Sequence, residues 1–278
     1  MATLTLGGRS LAGWRDVVRG RRWFHRGRSR REQPLPPLRF VFVVTYGRSG
    51  STLVQGLLNT IPRTLVRGEN NLFIWPLYQS MVLVREFKRQ FGGPASSSVT
   101  SAFYGLRAMR PAHFAAATRD LVVKQLLGPA RRSRFDVIGF KEVQWHRIGR
   151  DEQADFFDFM DEAFPDAKYV LNRRRHEDVL ESGFWQGRRP DRAARAVARV
   201  EEIQEHLRTT RPERTFDTRY EVLTGDDGAA VEKQLRGLAE FVVGSCDDAL
   251  LSAMRETLMI GHGPNPFGAS RGPSVTQS

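Results

Sequence analysis

Cysteine is nearly missing from this chain: Cys246 stands alone among 278 residues. An intrachain disulfide and a cysteine-based zinc site are thereby excluded, and a reducing compartment fits. No apolar run approaches the roughly 18 residues that would span a bilayer. The opening MATLTLGGRSLAGWRDVVRG does not have the order of charge, apolar stretch and small-residue cleavage site of a secretory leader. The chain therefore reads as soluble and cytoplasmic. Neither G-x-x-x-x-G-K-[ST] nor G-x-G-x-x-G occurs, which sets aside the common nucleoside-triphosphate loop and the dinucleotide fingerprint. Internal repeats are also lacking.

What is present is enough hydrophobic content, 40%, to bury a large core in one domain. The net charge of +12 invites a nucleic-acid reading, but the excess is uneven. Residues 1–38 hold nine arginines against Asp16 and Glu32. This arm closes on a proline-rich linker and reads as appended, either as a solvated tail or as a basic amphipathic helix. In the second case Leu11, Trp14, Val17 and Val18 share a side that touches an anionic, membrane-peripheral surface. The organisation expected is an arm over 1–38, one domain over 39–262 and a tail over 263–278. The domain's own smaller surplus suits an anionic small molecule, and nucleic acid is not expected as a partner.

After the arm, apolar runs of strand length alternate with segments of helical periodicity. RFVFVVTY, TLVRGE, FDVIGFKEV, AKYVLN and RTFDTRY read as strands. Helices are expected at STLVQGLLNTI, residues 71–91, 112–128, EQADFFDFMDEAF, HEDVLESGFW, DRAARAVARVEEIQEHLR and AAVEKQLRGLAEFVVG, the last closed by Gly244. FGGPASSSV reads as a mobile loop. The alternation implies an α/β fold with a central, mainly parallel sheet and helices on both faces.

The first strand runs into Gly47-Arg48-Ser49-Gly50-Ser51-Thr52 and then a helix. Glycines that let the backbone approach closely, hydroxyl donors and a helix N-terminus together make a P-loop-like anion cradle. A strand-to-helix turn that uses the same residues only for geometry is the alternative. The stretch YVLNRRRHEDVLES leaves another strand with three arginines and reaches Ser182 one helix further on. Parallel sheets bind ligands at the carboxyl ends of their strands, so this cluster can stand beside the first loop.

These residues resemble the sulfotransferases that use 3′-phosphoadenosine-5′-phosphosulfate. GRSGST is similar to their small-residue loop for the 5′-phosphosulfate, with Arg48 where many members have lysine. Arg174, Asp178 and Ser182 fall at the spacing of their R-x-x-x-D-x-x-x-S element for the 3′-phosphate, although Arg175 and His176 replace the usual asparagine and proline. RYEVLTGDDGAAVEKQLRGLAEFVVG supplies a Tyr-Glu strand end and a closing helix. The resemblance covers most of residues 40–244 and implies that Gly47 to Thr52, Arg174, Ser182 and Tyr220 bind the donor, with Tyr220 stacking near its adenine. It implies no metal, and adenosine 3′,5′-bisphosphate as the product.

Sulfuryl transfer should follow phosphoryl transfer in relying on positioning and on charge stabilisation. Arg48 and Lys141, the latter similar to a lysine on the strand facing the sulfate, are the candidate cations. Two residues beyond Lys141, where the animal cytosolic branch has its histidine base, stands Val143. Bacterial carbohydrate-type members use a glutamate in a short R-x-E stretch, and LVRGENNLF places Glu69 there, so Glu69 is the candidate general base. An exposed salt bridge between Glu69 and Arg67 is the alternative; Glu142, His146 and His176 stand in reserve. The acceptor implied is a hydroxyl of a carbohydrate or glycosylated metabolite, with Asn70, Asn71, Trp75, Tyr78, Gln144 and Trp145 as candidate contacts and residues 92–111 as a lid. Two competing readings stay open: a phosphotransferase or NTPase with an atypical loop, and a basic module that binds nucleic acid or a membrane surface.

Overall fold

The computed structural model describes residues 35–180 and 190–260. Five strands, β1 (Arg39–Val44), β2 (Thr64–Arg67), β3 (Val137–Glu142), β4 (Lys168–Arg173) and β5 (Thr215–Arg219), form one sheet in the order β2-β3-β1-β4-β5. Every neighbouring pair is parallel, as the alternation of elements requires. The helices are α1 (Ser51–Thr60), α2 (Ile74–Phe91), α3 (His113–Leu127), α4 (Gln153–Ala163), α5 (His176–Leu180), α6 (Pro190–Thr210), α7 (Tyr220–Leu223), α8 (Gly228–Val243) and α9 (Asp248–Ile260).

β1 is apolar throughout after its first residue because both of its faces are covered. Phe40, Phe42 and Val44 pack with residues of α2, α3, α4 and α6, while Val41 and Val43 pack with α1, α8 and α9. Aromatic rings fill the first layer: Phe164 meets Phe40 and Phe42 edge-on at 4.9 and 5.2 Å between centroids, a geometry favoured by the ring quadrupoles. Gly139 lets β3 lie against β1. A Cβ there would stand 1.6 Å from the Val41 carbonyl oxygen.

The connections leaving β1 run to one side through α1 to β2 and then β3, and the chain then crosses to β4 on the other side. The carboxyl ends of β1 and β4 therefore flank the switch point of the sheet, where open α/β sheets leave a crevice.

Two features differ from the sequence expectation. Residues 92–111 form two 3-10 turns, Pro94–Ser97 and Leu106–Ala108, joined by Gly105 N–H donating to the Ser96 carbonyl at 3.0 Å. Phe103 stacks on Phe91 at 4.4 Å and 15°, so the segment folds on its own apolar anchor. The second difference is α9, an additional helix whose Leu251 and Met254 join the α1 side of the core and whose Thr257 hydroxyl is 2.9 Å from that of Thr60. The expected arm, apart from residues 35–38, the whole tail over 263–278 and the second half of the expected helix HEDVLESGFW lie outside the described residues. Among the described residues no helix is long and apolar enough to cross a membrane.

Candidate active site

The segment after β1 is held from below by a buried polar network. The Thr45 hydroxyl lies 2.6 Å from that of Ser49 and donates to the Asn172 carbonyl at 3.0 Å. Asn172, fully buried at the end of β4, donates through Nδ2 to the Ser49 carbonyl at 2.9 Å and accepts from the Thr218 hydroxyl of β5 at 3.0 Å. Gln204 of α6, also fully buried, donates to the carbonyls of Val44 and Asn172 and accepts from Arg173 Nε at 2.7 Å. Buried amides are tolerated when paired in this way, and a satisfied network rigidifies what it touches.

On that base the backbone turns through left-handed residues, Arg48 at φ 68° and Gly50 at φ 77°. An arginine at positive φ is uncommon, and such strain persists where the surroundings enforce it. Gly50 precedes α1 with no side chain capping its amides, and no acidic residue stands in the first turn. The helix N-terminus thus keeps its partial positive charge and its unpaired N–H donors. Ser49 and Ser51 are buried, whereas Thr52 and the Arg48 side chain are exposed.

Arg174, just past β4, reaches the same place. Its Nη1 donates to the Arg48 carbonyl at 3.2 Å, and its guanidinium lies 4.4 Å from the centroid of the Tyr220 ring. The Arg174 backbone is pinned by Tyr46, whose hydroxyl accepts from its N–H and donates to its carbonyl. Burial pushes the Tyr46 phenol up to about 12, so it stays neutral and makes both bonds at physiological pH. Tyr220, the first residue of α7, lies so close over Gly50 that a Cβ there would meet the ring at 2.0 Å. Glu221 accepts from the Arg175 N–H at 2.7 Å. Residues 47–52, Arg174 and Tyr220, expected as one binding group, are adjacent in space. Asp178 lies 3.9 Å from Arg174, and Ser182 is outside the described residues.

Glu69 and Lys141 form a second constellation. Lys141, at the end of β3, is 6% exposed and donates to Glu69 Oε1 at 2.5 Å; Glu69, beyond β2, is half exposed. Glu69 is therefore paired with Lys141 instead of with Arg67, whose Nε donates to the Leu126 carbonyl at 2.9 Å. Gln55 of α1 lies beside Gly68, 3.7 Å from where a Cβ would stand, which sets the Glu69 segment against the helix that follows the loop.

The reserve carboxylate has a different task. Glu142 is completely buried and accepts four backbone N–H groups, from Asn70, Leu72, Val143 and Gln144, at 2.7 to 2.9 Å. It organises the two segments around Glu69 and Lys141 and has no lone pair facing solvent. His176 pairs with Glu201 at 2.8 Å. Two expected acceptor contacts are core residues: Trp145 lies between Phe140 and Phe157, and Tyr78 donates to Asp155 at 2.8 Å. Burial and that carboxylate raise the Tyr78 phenol far above its ordinary value. Trp75 carries the Arg147 guanidinium at 5.3 Å, and Arg147 also binds the Asn71 carbonyl and side chain.

A parallel sheet with an uncapped helix N-terminus and clustered arginines at its switch point is an α/β edge suited to an anionic ligand. The sulfotransferase family model matches residues 40–242, and the chain belongs to that family. Among solved structures, the sulfotransferase domain of the Synechococcus PCC 7002 olefin synthase is similar at 18% identity and TM-score 0.47, over 80% of this chain and 78% of that one. Sulfotransferase STF9 from Mycobacterium avium is similar at 12% identity and TM-score 0.47, over 82% and 70%. Both are too distant to add to what the family match shows. No curated protein matches the chain.

Proposed function

We propose that the protein transfers the sulfuryl group of 3′-phosphoadenosine-5′-phosphosulfate to a hydroxyl of a carbohydrate or glycosylated metabolite. The observation that carries this reading is the convergence of residues 47–52, Arg174 and Tyr220 at the carboxyl edge of the sheet. Two anionic groups on one nucleotide would be met by the loop amides with Arg48 and by Arg174, which stands directly beside that loop. The loop amides and Arg48 receive the 5′-phosphosulfate, Arg174 with Ser182 receives the 3′-phosphate, and Tyr220 offers its ring to the base.

In the reaction the acceptor oxygen forms a bond to sulfur as the bond from sulfur to the 5′-phosphate oxygen breaks in line. Charge gathers on the sulfuryl oxygens and on the leaving phosphate, where fixed cations and N–H groups stabilise it without reorganisation. Lys141 and Arg48 are the cations assigned to that task. Glu69 takes the acceptor's proton; its pairing with the nearly buried Lys141 supports this role because it fixes the carboxylate at the carboxyl end of β3, the strand next to β1. The leaving group departs as adenosine 3′,5′-bisphosphate.

A thermal-shift comparison tests the reading. Adenosine 3′,5′-bisphosphate is expected to raise the melting temperature without magnesium, and the rise should continue with the logarithm of its concentration above Kd. A shift given by ATP with magnesium and not by the bisphosphate overturns it in favour of phosphoryl transfer.

A further inference from the structure

A cavity of about 430 Å³ opens between the segment that leaves β2 and helix α3, a size within the range of small-molecule sites. Arg67, Glu69, Asn70 and Gln125 supply polar lining, and Phe73, Leu121 and Leu126 an apolar wall. Glu69 thus belongs both to the lysine pair and to this cavity.

Asn70 is the unusual member. Its backbone N–H is committed to Glu142, which fixes the residue in place, yet neither Nδ2 nor Oδ1 of its side chain has a hydrogen-bond partner although both atoms are buried. A buried amide left unpaired is costly, and native folds keep few of them without a use. An alcohol that enters the cavity answers both halves of the amide, since a hydroxyl donates and accepts. The rest of the lining does not resemble a sugar cradle: Tyr78 and Trp145, the flat rings expected to face a pyranose, are in the core. Beside Arg67 and Gln125, the wall is made by Phe73, Leu121 and Leu126, and Leu121 remains 38% exposed.

We infer that the acceptor is an amphiphilic alcohol, a hydroxyl borne on or beside an apolar body, and that Asn70 is the residue that orients its hydroxyl toward Glu69. The apolar portion lies on Phe73, Leu121 and Leu126, where its removal from water supplies binding that a bare sugar cannot obtain. This rests on Glu69 being the base of the proposed reaction.

The test uses the full chain, 3′-phosphoadenosine-5′-phosphosulfate, and matched acceptors: a free hexose, its octyl glycoside and 1-octanol, with sulfated product detected by mass. Transfer to an octyl-bearing acceptor is expected to exceed transfer to the free hexose at least tenfold in kcat/KM. Leu121→Asp is expected to raise KM for that acceptor about tenfold while the shift given by adenosine 3′,5′-bisphosphate is kept. Asn70→Ala is expected to lower kcat ten- to a hundredfold with KM and the bisphosphate shift little changed, and Asn70→Ser to restore part of the loss. Equal use of the hexose and its octyl glycoside, or no transfer to either octyl-bearing acceptor, overturns the inference, as does an Asn70→Ala enzyme of full turnover. Loss of the bisphosphate shift in the unmodified protein would instead strike the donor reading, so the two failures are separable.

Discussion

Arg174 gathers three constraints on one side chain: a carbonyl of the loop, a tyrosine ring and a backbone clamped by Tyr46. If it holds a phosphate, Arg174→Ala should weaken adenosine 3′,5′-bisphosphate binding by about 1.5–3 kcal/mol, the scale of a charged hydrogen bond. Titration calorimetry at fixed ionic strength would read this as a rise in Kd of about 10- to 150-fold. Glu69→Gln keeps the shape and the bond to Lys141 but removes the proton acceptor. Its kcat should fall about 10²- to 10⁴-fold, the usual contribution of a general base, with the bisphosphate Kd unchanged; undiminished turnover would remove Glu69 from that role. Arg48 and Arg174 were legible in the sequence because charged side chains after predicted strands face the ligand edge of such a sheet, whereas Lys141 and Glu69 were legible through the resemblance to the sulfotransferases. Their pairings were not, because a partner 72 residues away, as Glu69 is from Lys141, leaves no mark in local pattern. The same holds for Glu142, whose four amide donors come from two separate segments.

Among the elements, the strands were the most readable. Unbroken β-branched and aromatic runs of strand length, bounded by turn residues, leave few alternatives. The helix α9 was overlooked although its signal is present: Asp247 and Asp248 precede Leu250, Leu251, Met254 and Leu258 at helical spacing. The glycine closing α8 reads so strongly as an ending that the next amphipathic stretch is easily merged with the tail. Met254 is fully buried on the α1 side of the core, so Met254→Ala should destabilise the protein by about 2–5 kcal/mol. Urea unfolding would measure it; a loss under about 0.5 kcal/mol, the scale of a surface change, would mean that α9 does not belong to the folded core. Residues 92–111 carry more local structure than the sequence indicated. Glycine and serine content suggested mobility, but three phenylalanines spaced across the segment and the helix before it, Phe87, Phe91 and Phe103, close on one another.

For the whole molecule, carboxylates tied to arginines contribute to the response to acid. Hydrogen bonds from Arg63 and from Arg85 hold the carboxyls of Asp136 and Asp155 below their ordinary range. In the unfolded chain these groups return to about 3.9. The stability they contribute is therefore complete above that value and is lost as pH falls through their lower folded values. Melting temperature should decline below about pH 4 as these carboxylates protonate, after a smaller fall that begins near pH 6.5 because burial holds the His206 imidazole below its ordinary value. Asp155→Asn should melt lower than the parent at pH 6 and converge on it near pH 2, which melting curves across the series would show; parallel curves would assign the acid loss elsewhere.

The buried network under the loop has a kinetic meaning. Asn172 and Gln204 tie the ends of β1 and β4 to β5 and α6, so the cationic regions that flank the crevice are spaced by the interior of the protein and not by the ligand. If the proposed nucleotide binds there, little of its binding energy is needed to order backbone. On the proposed reading, the crevice would act as a caliper set in advance, favouring a molecule whose charges already match it.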